Sequence, residues 1–362
     1  MIHAMHIENF KCFKDFDIEL GPFNVLIGPN DTGKTALLES LRILAALYQL
    51  GDEASWDAIG KKARIALGQH CHWQNSVNKT VVFRIPIPEA GGMSWDVRTQ
   101  GTNLCQGVYD QVEWSTSTLT TGFLRSVGDT LSAVGFYHLR PSELRQPSPI
   151  IDALFLGSGA GFPTFLDSLA REHRPTRFED LVAAFRDRFP WYSDIFVRPR
   201  RMKYSDFAND RIVEKDSYEL WFRTTQDAEL PAQAVSDGLL LSLAFMAIAR
   251  APEPPTLLLI EEPETGVHHA SLKEIAGTLK GLAEKGTQVI VTTHSPYLLD
   301  LVEPEEVRVF SKDEEGAVHA VRLSDYPDIA KLREQDFMTG EIWSMLSESK
   351  IVDTIRGAGA AK

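Results

Sequence analysis

The chain has 362 residues, 43% of them hydrophobic and 24% charged, an ordinary globular balance with enough apolar material for more than one lobe. A formal net charge of -13 at pH 7 argues against a surface that is basic throughout and coats nucleic acid, although an acidic protein can still hold one basic groove. The start carries no apolar targeting segment, residues 239–249 form the longest apolar stretch and are too few to cross a bilayer, and Cys12, Cys71 and Cys105 are odd in number and widely spaced, so a cytoplasmic protein with reduced thiols and no membrane contact is expected.

In chain order, alternation over residues 3–10 and 16–20 predicts two strands, and the apolar run 23–27 predicts a buried strand that enters a glycine loop. Leu37, Leu38, Leu41, Leu44, Ala45 and Tyr48 then recur at helical spacing, with Gly51 as the stop. Between Gly51 and Pro231 the character changes: short strand-like runs at 80–87, 108–114, 134–139 and 218–223 are punctuated by glycine and proline. Thr176-Arg-Phe-Glu179 predicts a capping box that opens a helix with Phe178, Leu181, Val182 and Phe185 on one face. After Pro231 the alternation of helix and strand returns. A buried helix is predicted over 239–250, a buried strand over 256–260, and an amphipathic helix over 271–282 with Leu272, Ile275, Leu279 and Leu282 on one side. Another buried strand covers 288–292. No heptads are sustained, so the middle of the chain is a compact lobe and not a coiled-coil arm. His70-Cys71-His72 has metal-ligand residue types, but a strand would turn Cys71 away from both histidines and no second ligand pair lies at zinc-site spacing, which disfavours a metal there.

Four segments carry chemistry. Gly28-Pro-Asn30-Asp31-Thr32-Gly33-Lys34-Thr35 fits the phosphate-loop pattern between a predicted strand and a predicted helix, the context such a loop needs. Consecutive N–H groups in a glycine turn curl around phosphates, and the helix N-terminus adds positive potential. Asn30, Asp31, Thr32, Gly33, Lys34, Thr35 and Ala36 are therefore the expected nucleotide-binding residues, with Lys34 on the β- and γ-phosphates and the Thr35 hydroxyl on Mg2+. In Leu257-Leu-Leu-Ile260-Glu261-Glu262-Pro263-Glu264 an apolar strand delivers carboxylates to the sheet edge where α/β ligands bind. Glu261 is assigned to Mg2+ and Glu262 to orienting or deprotonating the attacking water. His294, in Val-Thr-Thr-His294-Ser295-Pro296, follows another buried strand and is assigned to the γ-phosphate or the water. Ser236-Asp237-Gly238 precedes a buried helix and reads both as an N-cap and as an anion site.

Taken in this order, the four segments resemble the ATP-binding-cassette class of ATPases, in the branch that holds SMC, RecF and OLD-type proteins. Ile7-Glu8-Asn9-Phe10-Lys11-Cys12-Phe13 is similar to the first strand and turn of that branch. The resemblance covers residues 1–50 and 231–312. It implies an α/β P-loop fold: a two-lobed head with a mixed sheet flanked by helices and an inserted α+β lobe. The core would then be discontinuous, 1–50 and 231–325, around an inserted lobe at 51–230 that is β-rich and then helical, with a helical tail at 326–362. ATP and Mg2+ are the implied ligands, and Lys34, Glu262 and His294 the implied catalytic residues. Ser236, Asp237 and Gly238 would form a signature loop on the γ-phosphate of ATP held by a second subunit, which makes the ATP state a homodimer. Two departures stand out. Glu261 occupies a position where aspartate is common, and Ser-Asp-Gly-Leu replaces the Ser-Gly-Gly-Gln of transporter cassettes. Arg140 and Gln146 are candidates for the family's Q-loop residue, against an ordinary surface role.

Val197-Arg-Pro-Arg-Arg-Met-Lys203-Tyr204 is the densest basic run and would suit a phosphate backbone; a solvated face is the commoner reading. Fewer than about 70 residues follow His294, less than a TOPRIM nuclease domain of the kind OLD-type relatives carry, so a separate effector protein is expected, by analogy with the ATPase halves of two-gene phage-defence or toxin-control systems. Phe337-Met-Thr-Gly-Glu-Ile-Trp343 is a candidate docking element for it, against packing on the protein's own core. An ATPase acting on DNA and a slow regulatory scaffold without DNA contact both stay open.

Overall fold

The computed structural model describes residues 1–50, 56–64, 80–87, 93–100, 111–116, 123–150, 155–171, 175–206 and 211–360. The chain opens with β1 (Ala4–Phe10), β2 (Phe13–Glu19), β3 (Phe23–Ile27) and α1 (Lys34–Leu50). Next come α2 (Trp56–Ala63), β4 (Val81–Ile87), β5 (Met93–Gln100), β6 (Gln111–Thr116), α3 (Phe123–Ser132) and β7 (Val134–Tyr137). They are followed by α4 (Pro141–Leu144), β8 (Ser148–Pro149), α5 (Phe162–Arg171), α6 (Pro175–Arg188), β9 (Tyr192–Asp206), β10 (Arg211–Thr224), β11 (Glu229–Pro231) and α7 (Asp237–Ile248). The last stretch holds β12 (Leu257–Glu261), α8 (His269–Glu284), β13 (Gln288–Thr293), α9 (Pro296–Leu299), β14 (Val307–Lys312), β15 (Val318–Arg322), α10 (Ile329–Glu334), α11 (Thr339–Met345) and α12 (Glu348–Ala360).

Two compact units divide the chain: Met1–Gly135, Pro255–Glu262 and Ala283–Lys362 make the first, and Phe136–Pro254 with Pro263–Leu282 the second. This partition runs differently from the lobes read off composition. Residues up to 135 stay with the first unit because β4, β5 and β6 extend the β1–β2 hairpin into a five-stranded antiparallel sheet ordered β2-β1-β4-β5-β6.

The first unit also holds the larger sheet, ordered β15-β14-β3-β13-β12-β7; β7, at its edge, is where the chain leaves the unit. Parallel pairing of β12, β13, β3 and β14, with β15 antiparallel at the end, makes this sheet mixed. All five residues of β3 are buried, as a strand covered on both faces requires. Two of the polar residues in this interior, Asn24 and Gln288, are satisfied. Asn24 Nδ2 donates to Gly21 O at 2.7 Å while Asn24 Oδ1 accepts from Gly21 N at 2.8 Å. The Gln288 amide accepts from Ile2 N at 2.9 Å and donates to Ile2 O at 2.7 Å, which ties the start of the chain to β13. α1 buries Leu37, Leu38, Leu41 and Leu44 completely, whereas Tyr48, expected on the same face, is 40% exposed.

In the second unit β10 is central, pairing with β9, β8 and β11. Leu166, Leu169, Leu181, Phe185, Ile195, Leu220 and Phe222 are among its buried apolar side chains on α5, α6, β9 and β10. α6 already begins at Pro175, so the capping box read at Thr176 does not set its start; proline, pre-organised for a first helical position, does. α7 is buried from Leu239 to Ile248, and Leu272, Ile275, Leu279 and Leu282 of α8 are buried as their spacing predicts. Among the described residues no helix is long and apolar enough to cross a membrane.

Candidate nucleotide site

Strand register brings three loops to one sheet edge. Ile27, the last residue of β3, stands opposite Thr293, the last of β13, and Thr292 stands opposite Glu261, the last of β12. Gly28, His294 and Glu262 are each the next residue along the chain. Carboxyl ends of parallel strands are where open α/β sheets place their ligands.

The glycine loop fits phosphate on its own geometry. Gly33 has φ +89°, and a Cβ there would lie 2.7 Å from Cys12 Sγ and 3.0 Å from the Phe13 ring; a Cβ on Gly28 would meet Phe310 O at 2.5 Å. The curl is braced by Thr32 Oγ1 donating to Pro29 O at 2.8 Å and by an ion pair at 2.5 Å between Lys312 and Asp31, itself left-handed at φ 64°. Lys34 begins α1 and is buried; its Nζ donates to Gly28 O at 2.7 Å and to Pro29 O at 2.8 Å. The first N–H groups of a helix have no acceptor within it, so the start of α1 adds donors and positive potential at the same place. Thr32 and Ala36 are buried with Lys34, while Asn30 and Asp31 on the loop and Thr35 in the first turn of α1 are exposed. The β1–β2 turn backs this loop: Cys12 and Phe13 lie against Gly33, and Lys11 pairs with Glu39 of α1.

At the ends of β12 and β13 the acidic pair and the histidine come together. Glu262 N donates to Thr292 O at 3.0 Å, extending the ladder by one rung, and the residue then takes φ 44°, a left-handed conformation that costs a side-chain-bearing residue on the order of 1–3 kcal/mol. Glu262 Oε1 lies 3.8 Å from His294 Nε2, an ion-pair distance when the imidazole is protonated and too long for a hydrogen bond. Ser295 N donates to Thr293 Oγ1 at 2.9 Å, fixing the turn that carries His294 before Pro296 starts α9. Arg42, which sequence reasoning missed, sits in α1 two turns beyond Lys34 and donates to Arg64 O at 3.2 Å. Burial pushes its guanidinium below the ordinary value, while the carboxylates of Glu39 and Glu261 pull it back up. Its signal in sequence is a lone cation among the leucines of α1.

Ser236 lies in the second unit and caps α7, its Oγ accepting from Leu239 N at 3.4 Å, so the capping reading holds. Of the two Q-loop candidates, Gln146 is spent locally, its Nε2 donating to Ser142 O at 3.3 Å, and Arg140 stands at the start of α4 without capping it. The side chain of that turn which reaches the Ser236 loop is their neighbour, Arg145.

The basic run is paired out. It lies on β9, and its cations meet carboxylates across the sheet: Arg198 with Glu229, Arg200 with Glu219 at 2.6 Å, Arg201 with Asp216 at 3.3 Å and Lys203 with Glu214 at 3.9 Å. Arg198 is also stacked, 4.5 Å from the Trp221 ring centroid and 5.0 Å from that of Phe196. His70, Cys71, His72 and Cys105 lie outside the described residues. Among the described residues one group, His6 with Asp15 and Asp17, has ligand types in reach of one another. His6 there gives Nδ1 to Asp17 and Nε2 to Glu8, both at 2.9 Å, the pattern of an imidazolium and not of a metal ligand. The proposed docking element is packed inward: in α11, Ile342 is buried, Thr339 Oγ1 donates to Val302 O at 2.9 Å and Gly340 N to Asp300 Oδ1 at 2.8 Å.

Residues 145–300 match a family described as "AAA domain, putative AbiEii toxin, Type IV TA system", and residues 1–78 match an AAA ATPase domain family. An OLD nuclease from Thermus scotoductus is 36% identical over 355 residues, covering 88% of this chain and 63% of that protein, so the chain spans less than two thirds of its relative. A putative ABC transporter ATP-binding protein from Streptomyces coelicolor is 38% identical over 60 residues, 17% of this chain and 10% of that one. Among solved structures, an Smc head bound to the C-winged helix domain of ScpA aligns with a TM-score of 0.54 at 14% identity over 88% of this chain and 97% of its own. An Smc head with an extended coiled coil, bound to the C-terminal domain of ScpA derived from Pyrococcus furiosus, gives 0.51 at 13% identity over 93% and 99%. The expected mixed-sheet P-loop fold is thereby borne out.

Proposed function

We propose that this chain, similar in sequence to AAA-domain and OLD-type proteins and in fold to Smc heads, is a P-loop ATPase that hydrolyses ATP in a site completed by a second copy of itself. The observation that carries this reading is the register of β3, β13 and β12, which delivers the glycine loop, His294 and Glu262 to one edge. Lys34 would exchange the carbonyls of Gly28 and Pro29 for β- and γ-phosphate oxygens, a stronger, charge-assisted pairing. The Thr35 hydroxyl and Glu261 carboxylate are hard oxygen donors of the kind Mg2+ takes, and that ion, when bound, would neutralise phosphate charge. Glu262 would hold the attacking water and accept its proton, with His294 steadying the γ-phosphoryl oxygens. Ser236, Asp237 and Gly238 of the second copy would close the site, so ATP binding joins two chains and hydrolysis parts them.

In the cell this motor would serve a DNA-related repair, phage-defence or toxin-control system with a separate effector; the likeness to an OLD nuclease and to a family described by the AbiEii toxin supports that setting. A slow nucleotide-dependent scaffold with no DNA contact is favoured by a specific observation, the internal pairing of the basic run on β9. Stimulation of turnover by DNA separates the two. The central test is Glu262→Gln. It should bind ATP as the parent does, accumulate as a dimer in gel filtration with ATP and Mg2+, and hydrolyse at least about 100-fold more slowly. An unchanged hydrolysis rate would remove Glu262 from the mechanism.

A further inference from the structure

Arg145 follows α4, and its side chain is only 19% exposed. Its Nε donates to Ala232 O at 3.2 Å, and its Nη2 donates to Val235 O at 2.9 Å and to Asp237 Oδ1 at 2.5 Å. In return its own carbonyl accepts from Gln233 Nε2 at 3.1 Å. One fork thus grips the stretch from Ala232 to Asp237 at both ends.

Ala232 and Val235 anchor that stretch by burial, and Arg145 meets its backbone carbonyls. The stretch consists of one 3-10 turn, Ala232–Ala234, then Val235 and Ser236 in extended conformation before α7 begins. A single such turn is weak by itself, and the Ser236 cap bond is long at 3.4 Å. There is also an electrostatic problem at this point. Asp237 stands in the first turn of α7, where a phosphate would be received, and a bare carboxylate there would repel it. The Arg145 guanidinium, planar and always charged, cancels that carboxylate while its fork fixes the backbone.

We propose that Arg145 is a positioning residue for the composite ATP site: it presets Ser236-Asp237-Gly238 and neutralises Asp237, so that the start of α7 can receive the γ-phosphate held by a second copy of the chain. This rests on the role in trans given above to the Ser236 loop. It also accounts for an aspartate being tolerated in that loop. Lysine keeps the charge but has a single nitrogen in place of the fork, so Arg145→Lys cannot reproduce the spacing of the Nε and Nη2 bonds.

The test uses the full chain with Mg2+ and ATP, reading kcat and KM for hydrolysis, ATP-dependent dimerisation by analytical ultracentrifugation, and affinity for a fluorescent ATP analogue. Arg145→Ala should lower kcat and weaken the dimer at least tenfold, with analogue affinity held within about twofold because the glycine loop is untouched. Adding Asp237→Asn to Arg145→Ala should restore at least threefold of the loss, since it removes the exposed carboxylate; a merely structural role would not give this recovery. Arg145→Lys should fall between, and it replaces Arg145→Ala in the comparison if that variant does not fold. Parent-like turnover and dimerisation in Arg145→Ala, with both abolished by Ser236→Arg, would overturn the positioning role alone. Unchanged turnover in Ser236→Arg would instead overturn the reading in trans on which it rests.

Discussion

Cys12 and Phe13 stand where a side chain on Gly33 would have to go, so the phosphate loop is specified by the turn behind it as much as by its own residues. Burial pushes the Cys12 thiol up to about 11, which keeps it protonated and inert at neutral pH, a filler and not a nucleophile. On the same hairpin, His6 is affected in two opposing ways: burial disfavours its charge, and hydrogen bonds to Glu8 and Asp17 more than offset this, so its pKa is raised above the ordinary 6.5. A base raised on folding contributes stability that is fully present below its unfolded pKa and lost as pH rises through the folded one. His6→Gln should therefore lower the melting temperature at about pH 5.5 and hardly change it at about pH 9, the difference corresponding to less than about 1 kcal/mol for so exposed a set of partners. Equal losses at both pH values would show that packing, not charge, is what His6 supplies.

The elements that sequence reveals best are those whose whole environment is one-sided. Leu257 to Ile260 and Val289 to Val291 are buried on both faces, and an unbroken apolar run says so without knowledge of neighbours. β9 is the opposite case. Its cations look like a ligand surface because the carboxylates that answer them lie on β10 and β11, and only the pairing of Arg198 with Glu219 and its neighbours along the hairpin brings them across. Glu219 is buried and serves Arg200 and, at 3.1 Å, Trp221 Nε1. Glu219→Ala should cost about 1–3 kcal/mol, because it leaves both donors without their acceptor. A urea midpoint within error of the parent would mean that solvent replaces the carboxylate at no cost. α11 teaches the same lesson: residues 337–343 read in sequence as a docking element or as packing on the core, and the contacts that seat the helix, through Thr339 and Gly340, depend on Val302 and Asp300 some 40 residues earlier.

At the scale of the molecule, the meeting of the glycine loop, Glu262 and His294 at one sheet edge was legible because each of these segments pairs a buried strand with a polar turn, and parallel strands send such turns to one edge whatever else the fold contains. What Arg42 and Arg145 reach was not legible, since Arg64 and Glu261 for the one and Ala232 to Asp237 for the other lie far along the chain. Nor was the partition into units, which depends on β4 pairing with β1 rather than starting a lobe of its own. If two chains share each ATP, turnover per chain must depend on protein concentration, falling in proportion to concentration once the chain is diluted well below the dimer dissociation constant. Initial rates across a hundredfold dilution series at saturating ATP would show this, and a flat specific activity would mean that one chain suffices.

The left-handed backbone at Glu262 has a consequence for how such a chain changes over generations. Glycine occupies that conformation without strain, so the fold alone prefers a residue that has no carboxylate. If Glu262 serves hydrolysis as proposed, glutamate persists there only while that activity is under selection. A lineage kept for binding, or bred in the laboratory for heat resistance, is free to lose it, and the trace left behind would be a stable, nucleotide-loaded descendant that no longer turns over.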